Sequence, residues 1–464
     1  MSDNGDDDRE AGDYDDALAE RAALEVYEEL LLRVGEAAPQ PRLDATRRAA
    51  ELLGDPQRAY PVIHVTGTNG KTSTSRMIES LLRAHGLRTG MLTSPHLERV
   101  NERIVIDGEP ISNTALVSNW NDIRAFLELA DAELDLNGEA PLTFFEALTV
   151  LGFAAFADAP VDVVVLEVGM GGEWDSTNVA DGQVAVFTPI ALDHTARLGN
   201  TVAEIARTKS GIIKPAAAVV SAAQQPDALA ELERAAELTE STLAVEGARF
   251  GLLTDVVAVG GQVITVKGLA AEYPELFLPL FGDHQARNAT LAIAAVESFI
   301  GGGTLALNQD IVAEGLATAT SPGRLQVIGT EPTVVVDAAH NPHGAAALAV
   351  ALTEYFTFDS VTAVIGILGD KDAAGILREL DAVVDLFVIT QSTSERAVDA
   401  DELARIAVSI VGPDRVVVEP STETALETAR DIAGRTEKGA VIVTGSITLV
   451  GDTMAYARAQ GWKS

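Results

Sequence analysis

The sequence predicts an α/β protein: a larger domain built on a parallel-rich sheet, followed by a second, smaller, Rossmann-like C-terminal domain. Three observations predict it. Short apolar runs recur along the 464 residues, helix-patterned stretches separate them, and the alternation restarts after Ser321-Pro-Gly-Arg324. Buried parallel strands read as continuous apolar runs and need a crossover helix between them, so this pattern has few other solutions. At roughly 100–200 residues per domain, the length allows two or three cores.

In chain order, residues 1–17 are acidic and read as a disordered, solvated tail. Asp16–Val34 carries helical spacing of Leu, Ala and Val, with Gly35 as its stop. Pro61–Val65 reads as a buried strand, Gly67–Gly70 as a turn and Lys71–His85 as a helix. Further strands are expected at Arg88–Thr93, Val161–Val168, Val184–Thr188 and Ala217–Val220, and helices at Phe144–Phe156 and Val202–Ser210. Residues 250–281 are β-rich and broken by Gly260-Gly261, which suggests an antiparallel piece. The expected division is a domain over 18–320 and another over 321–464. The second has strands at Thr333–Val336, Val361–Ile367, Leu386–Thr390, Val416–Val418 and Ala440–Thr444.

Composition excludes several functions. Without cysteine there is no disulfide framework, thiolate metal site or cysteine nucleophile. A net charge of −36 argues against nucleic acid, whose phosphates require clustered Lys and Arg. No apolar run approaches the roughly 20 residues needed to span a bilayer, and the acidic start is unlike a signal peptide. The expectation is a cytoplasmic protein with no membrane partner. An anionic small molecule would need a local island of cations and backbone N–H groups.

Val65-Thr-Gly67-Thr68-Asn69-Gly70-Lys71-Thr72-Ser73 is such an island. A Gly-rich turn opening a helix aims N–H groups at phosphate oxygens, and the helix dipole favours negative charge there. Lys71 is placed over the β- and γ-phosphates, with the Thr72 or Ser73 hydroxyl nearby. Val65 occupies the position where the full P-loop pattern has its leading Gly, so this is a variant P-loop. Glu167 ends an apolar strand at the carboxyl edge, where α/β sheets bind ligands, and a carboxylate beside a triphosphate suits Mg²⁺.

The order of the remaining motifs narrows the identification. Thr93-Ser94-Pro-His-Leu97, Leu142-Thr143-Phe-Phe-Glu146, Glu167-Val-Gly-Met-Gly-Gly172, Asp193-His194 and Lys209-Ser-Gly-Ile212 follow the P-loop. Asn288, Pro322-Gly-Arg324, Asp337-Ala-Ala-His340-Asn-Pro342 and Thr444-Gly-Ser446 complete the series. Together they resemble the folylpolyglutamate synthase/dihydrofolate synthase family of the Mur ligase superfamily, from about residue 40 to the C-terminus.

The resemblance implies an ATP-dependent ligase that joins L-glutamate to dihydropteroate or folate through an acyl phosphate. It implies that Ser94, Glu167 and His194 coordinate Mg²⁺ and that Lys209 carries a carbamate beside a second Mg²⁺. Lys71, His194 and Lys209 are the candidate catalytic residues. Thr68, Asn69, Gly70, Thr72, Ser73, Asn288, Arg324, Asp337 and His340 are the candidate ATP contacts. Thr143, Trp174, Asp175 and Ser446 are the candidate substrate contacts, and the chain is expected to act as a monomer. Three motifs depart from the family's usual form: Gly70-Lys71-Thr72 for GKG, Gly171-Gly172-Glu173 for GGR, and Thr208-Lys209-Ser210 for EKA. The middle departure puts pterin-side or acidic-substrate contacts in question rather than the phosphate chemistry.

Two rival readings stand beside this one. A cell-wall Mur ligase shares the chemistry, but about 70 residues before the P-loop leave little chain for its UDP-binding domain. A P-loop ATPase without ligase activity would hydrolyse ATP without stimulation by folate and glutamate.

Overall fold

The computed structural model describes residues 5–35 and 38–462, with side chains described from residue 16 onward. The chain forms two compact units. The first runs to Phe250 and includes 269–271 and 291–315; the second comprises 251–268, 272–290 and the residues from Leu316 on.

The first unit is built on eight strands. They are β1 Val62–Thr66, β2 Thr89–Leu92, β3 Ile104–Ile106, β4 Glu109–Pro110, β5 Val163–Glu167, β6 Gly182–Phe187, β7 Ala218–Ser221 and β8 Thr242–Val245. Their order is β4-β3-β2-β5-β1-β6-β7-β8. All neighbouring pairs are parallel except β2–β3 and β3–β4. The β1 and β5 strands are buried along their whole length, which is why they read as uninterrupted apolar runs. Register decides the site: Val65 pairs with Glu167 on one side, and Thr66 pairs with Phe187 on the other. The turn after β1, the carboxylate ending β5 and the loop after β6 therefore emerge side by side.

The acidic tail expected over 1–17 falls partly on residues 1–4, which lie outside the described residues. From Gly5 the backbone is helical through Leu31, so the helix expected from Asp16 starts earlier. An acidic start does not oppose a helix, because the free N–H groups of its first turn favour negative charge. Ala23, Val26 and Leu30 pack in one core with Trp120, Ile123 and Leu127 of the helix Asn113–Leu136. That long second helix was not among the elements read from sequence.

In the second unit, β9 Gly251–Ala258, β10 Gly261–Lys267 and β11 Glu272–Leu278 form an antiparallel sheet in the order β11-β10-β9. The Tyr355 hydroxyl ties it down, lying 2.7 Å from Asp255 Oδ2 and 3.1 Å from Gln262 Oε1. The six remaining strands are β12 Gln326–Thr330, β13 Thr333–Val336, β14 Ser360–Ile365, β15 Leu386–Ile389, β16 Val416–Val418 and β17 Gly439–Thr444. They order as β12-β13-β17-β14-β15-β16, parallel except for the β12–β13 hairpin. Among the described residues, no helix is long and apolar enough to cross a membrane.

Candidate active site

The turn after β1 has a shape only glycine can take. Gly67 has φ +148°, and a Cβ there would lie 1.8 Å from Thr188 Oγ1. Gly70 takes φ +86° at the N-cap of the helix Lys71–Ala84. The N-terminus of such a helix is electrostatically suited to an anion. Thr68 staples the turn to the neighbouring loop: its N–H donates to Pro189 O, and its hydroxyl donates to Ala191 O at 3.0 Å. Asn69 lies on the turn between these two glycines, while Ser73 is buried in the first helical turn.

Two lysine side chains converge on one carbonyl. Lys71 Nζ donates to Gly67 O at 3.3 Å and Thr68 O at 3.0 Å, and Lys209 Nζ donates to Gly67 O at 2.7 Å. Lys209, only 4 % exposed, sits at the end of the helix Val202–Ser210. Burial, reinforced by the Lys71 charge, pushes its amine down to about 7 against the pull of Asp193 and Asp175. Near neutral pH a large share of Lys209 is therefore the free amine. Gly172 makes this burial feasible, since a Cβ there would lie 2.7 Å from Lys209 O.

Glu167, 1 % exposed, accepts from the Thr72 hydroxyl at 2.8 Å and from Ser94 N–H at 3.4 Å. His194 follows in the loop after β6, in a left-handed conformation with φ 49°. Its Nε2 lies 3.8 Å from Asp193 Oδ2. Among the described residues, no three His, Asp or Glu side chains gather as a metal-holding group. The donor set is instead a buried carboxylate with a hydroxyl beside it, and this fits Mg²⁺. That ion takes hard oxygen ligands, commonly one or two carboxylates completed by water and phosphate oxygens.

The three residues expected to line a pterin pocket have different surroundings. Trp174 lines a cleft of about 310 Å³ with Ala38, Pro39, Gln40, Pro41 and Arg197. Asp175 is turned inward, accepting from Met170 N–H at 2.9 Å and Thr177 N–H at 3.0 Å. Burial pushes its carboxyl up, and those hydrogen bonds hold it down. Thr143 caps the helix Phe144–Asp158 in a reciprocal box with Glu146. Glu146 also receives the Arg42 guanidinium through Nε at 2.9 Å and Nη2 at 3.0 Å. Arg42 further donates to Ala140 O and Pro141 O, fixing the chain just after the cleft-lining 38–41 segment. Sequence reading missed Arg42 and Arg197. The Thr143-x-x-Glu146 box was a readable signal, whereas Arg42 meets Glu146 only in the folded chain.

In the second unit, Asp337 follows β13 and accepts from Leu325 N–H and Ala339 N–H, each at 2.8 Å. Ala338 N–H donates to Gly323 O, so the turn carrying Arg324 is clasped from both sides. Burial lowers the His284 imidazole, and Asp337 and Arg324 act on it with opposite sign, which places both charges in one neighbourhood. Asn288 is buried and donates to Gln285 Oε1 at 3.2 Å. His340 Nδ1 is 2.9 Å from Ala338 O. Ser446, fully buried, caps the helix Ile447–Ala459 by accepting from Leu449 N–H at 3.1 Å.

Comparison with known proteins decides the family. Residues 65–296 match the Mur ligase middle domain, and residues 323–447 match the Mur ligase, glutamate ligase domain. A dihydrofolate synthase/folylpolyglutamate synthase from Mycobacterium tuberculosis is 44% identical over 438 residues, covering 89% of this chain and 90% of that protein. The chain belongs to the dihydrofolate synthase/folylpolyglutamate synthase family of Mur ligases. A folylpolyglutamate synthase from Lacticaseibacillus casei is 40% identical, covering 74% of this chain and 80% of its own. The solved structure of Mycobacterium tuberculosis folylpolyglutamate synthase complexed with ADP superposes with TM-score 0.90 at 42% identity. That match covers 95% of this chain and 99% of that one.

Proposed function

We propose that this ligase uses ATP to join L-glutamate to the carboxylate of dihydropteroate, of a reduced folate, or of both. It does so as a single chain in the cytoplasm. The observation that carries this reading is the Gly67–Lys71 turn, packed between the buried Glu167 and the buried Lys209. The cleft beside Trp174 is the seat for the pterin-bearing acceptor. An indole face, two prolines and one guanidinium suit a planar ring with an anionic tail.

The chain's own groups do the following. N–H groups of the Gly67–Lys71 turn and the Lys71 ammonium hold the β- and γ-phosphates and neutralise charge as the acceptor carboxylate attacks the γ-phosphorus. The carboxylate C–O–P bond forms, the bond to ADP breaks, and an acyl phosphate results. The glutamate amine then attacks that carbonyl, losing a proton as inorganic phosphate leaves. Glu167 with the Thr72 and Ser94 hydroxyls would hold magnesium, which would supply Lewis-acid neutralisation of the developing phosphate charge. His194 and a carbamylated Lys209 complete the proposed ligands. The near-neutral Lys209 supports this, since only a free amine takes up carbon dioxide, and a carbamate would convert its repulsion of Lys71 into attraction.

Arg324, on the turn clasped by Asp337, is the proposed phosphate contact of the second unit, with Asn288 and His340 on the nucleotide and Ser446 on the glutamate side. The test is an ATP-dependent assay with radiolabelled glutamate, comparing dihydropteroate with a reduced folate. Incorporation with either acceptor supports the reading and assigns the branch. ATP hydrolysis that ignores both acceptors and glutamate overturns it.

A further inference from the structure

His64 lies in the middle of β1, three residues before Gly67, and plays no part in the steps above. It is fully buried, and its Nε2 is 2.9 Å from Thr177 Oγ1. Thr177 Oγ1 in turn donates to Asp175 Oδ1 at 2.5 Å. A hydroxyl has one proton to give, so with that proton on the carboxylate side, Oγ1 accepts from His64 and Nε2 carries the hydrogen. Burial, with Lys214 adding to it, pushes the imidazole down to about 3, so the ring is neutral. Nδ1 is then bare, and among the described residues this buried atom has no hydrogen-bond partner.

The far end of this chain of bonds is where its consequence lies. The Asp175 carboxylate takes Met170 N–H on one oxygen, and Thr177 N–H and hydroxyl on the other. It thereby holds both ends of the loop 170–177, whose Trp174 lines the cleft. The same loop begins just after Glu167 and packs through Gly172 on the Lys209 backbone. The strand that delivers the phosphate turn is thus linked by directed hydrogen bonds to the wall of the cleft.

We propose that His64 is a positioning residue: through Thr177 it orients the Asp175 carboxylate, and so the Trp174 wall, to receive the acceptor substrate. This rests on the reading of the cleft as the acceptor's seat. Had His64 only filled the strand interior, its loss would disturb the adjoining phosphate turn at least as much as the cleft.

The test is steady-state kinetics on the full chain for His64→Met, His64→Gln, Thr177→Val and their double combinations, varying ATP and acceptor separately. Methionine keeps the volume without a donor, whereas glutamine places an N–H near the Nε2 position. The expected result for His64→Met is an acceptor KM raised about ten-fold or more with ATP KM changed by less than about two-fold. His64→Gln recovers most of the loss, and adding Thr177→Val to His64→Met costs little further, since both break one link. Equal rises in the two KM values, additive losses, or an unchanged acceptor KM in a folded variant each overturn the proposal. If His64→Met does not fold, Thr177→Val against Thr177→Ser carries the same comparison. The unsubstituted protein run alongside separates the two failures: if it uses no pterin acceptor, the proposed function falls, not the relay.

Discussion

At the carboxyl edge of the eight-stranded sheet, Glu167 and Lys209 are both buried, and two lysine side chains crowd one carbonyl oxygen. At the carboxyl edge of the six-stranded sheet, Asp337, Asn341 and Ser446 each accept backbone N–H groups of their own unit. Both sheets are mostly parallel, but their edges treat polarity differently. The first gathers ionisable groups in a dry place, where electrostatic interactions are strongest. The second uses its polar side chains to fix turns and helix starts, which makes it a rigid frame rather than a charge store. The lesson is that a motif residue at a sheet edge is not by that fact a ligand. Its bonding in the folded chain decides.

Substitutions at the two edges test this contrast. Lys71→Ala should have the largest effect, a loss of about 10²–10³-fold or more in ligation, because a preorganised charge on the transferring group is removed. Glutamate incorporation near the parental rate would remove Lys71 from the mechanism. Lys209→Ala should cost somewhat less, about 10²-fold, and if the lysine works as a carbamate, added formate or acetate should restore part of it. Rate assays across a carboxylate titration check this.

Lys209 also provides a pH test of the dry edge. Its amine is held near 7 in the folded chain and has a pKa of about 10.4 when unfolded. Between those values the unfolded chain binds the extra proton, so without ligands stability rises with pH across that window and falls as pH drops towards 7. Lys209→Met should flatten this slope of the thermal midpoint. An identical slope in both proteins would show that the amine is not dry.

On the other edge, Asp337→Asn keeps the size but weakens acceptance from Leu325 and Ala339, loosening the turn of Arg324. An ATP KM raised about ten-fold is expected, with acceptor KM little changed. Smallest of all, Ser446→Ala removes a helix cap and should lower stability by about 1 kcal/mol, read as a few degrees in the melting midpoint. A glutamate KM raised well beyond that stability loss would support the proposed contact of Ser446 with glutamate, and an unchanged one would leave it a cap alone.

The sequence by itself determined the α/β alternation, the buried β1 and β5 strands, the glycine-lined turn and the position of Glu167 at a strand end. All four follow from local chemistry: apolar runs, helix spacing and the backbone freedom of glycine. The antiparallel character of 250–281 was also legible, through its Gly260-Gly261 break. Only the tertiary structure decided that Val65 pairs with Glu167, that Lys209 meets Gly67 O, and that Arg42 grips Glu146. It likewise decided that His64 reaches Asp175 through Thr177. Each of these joins residues distant in sequence. Desolvation and hydrogen-bond direction settle such pairings, and neither exists until the chain has folded.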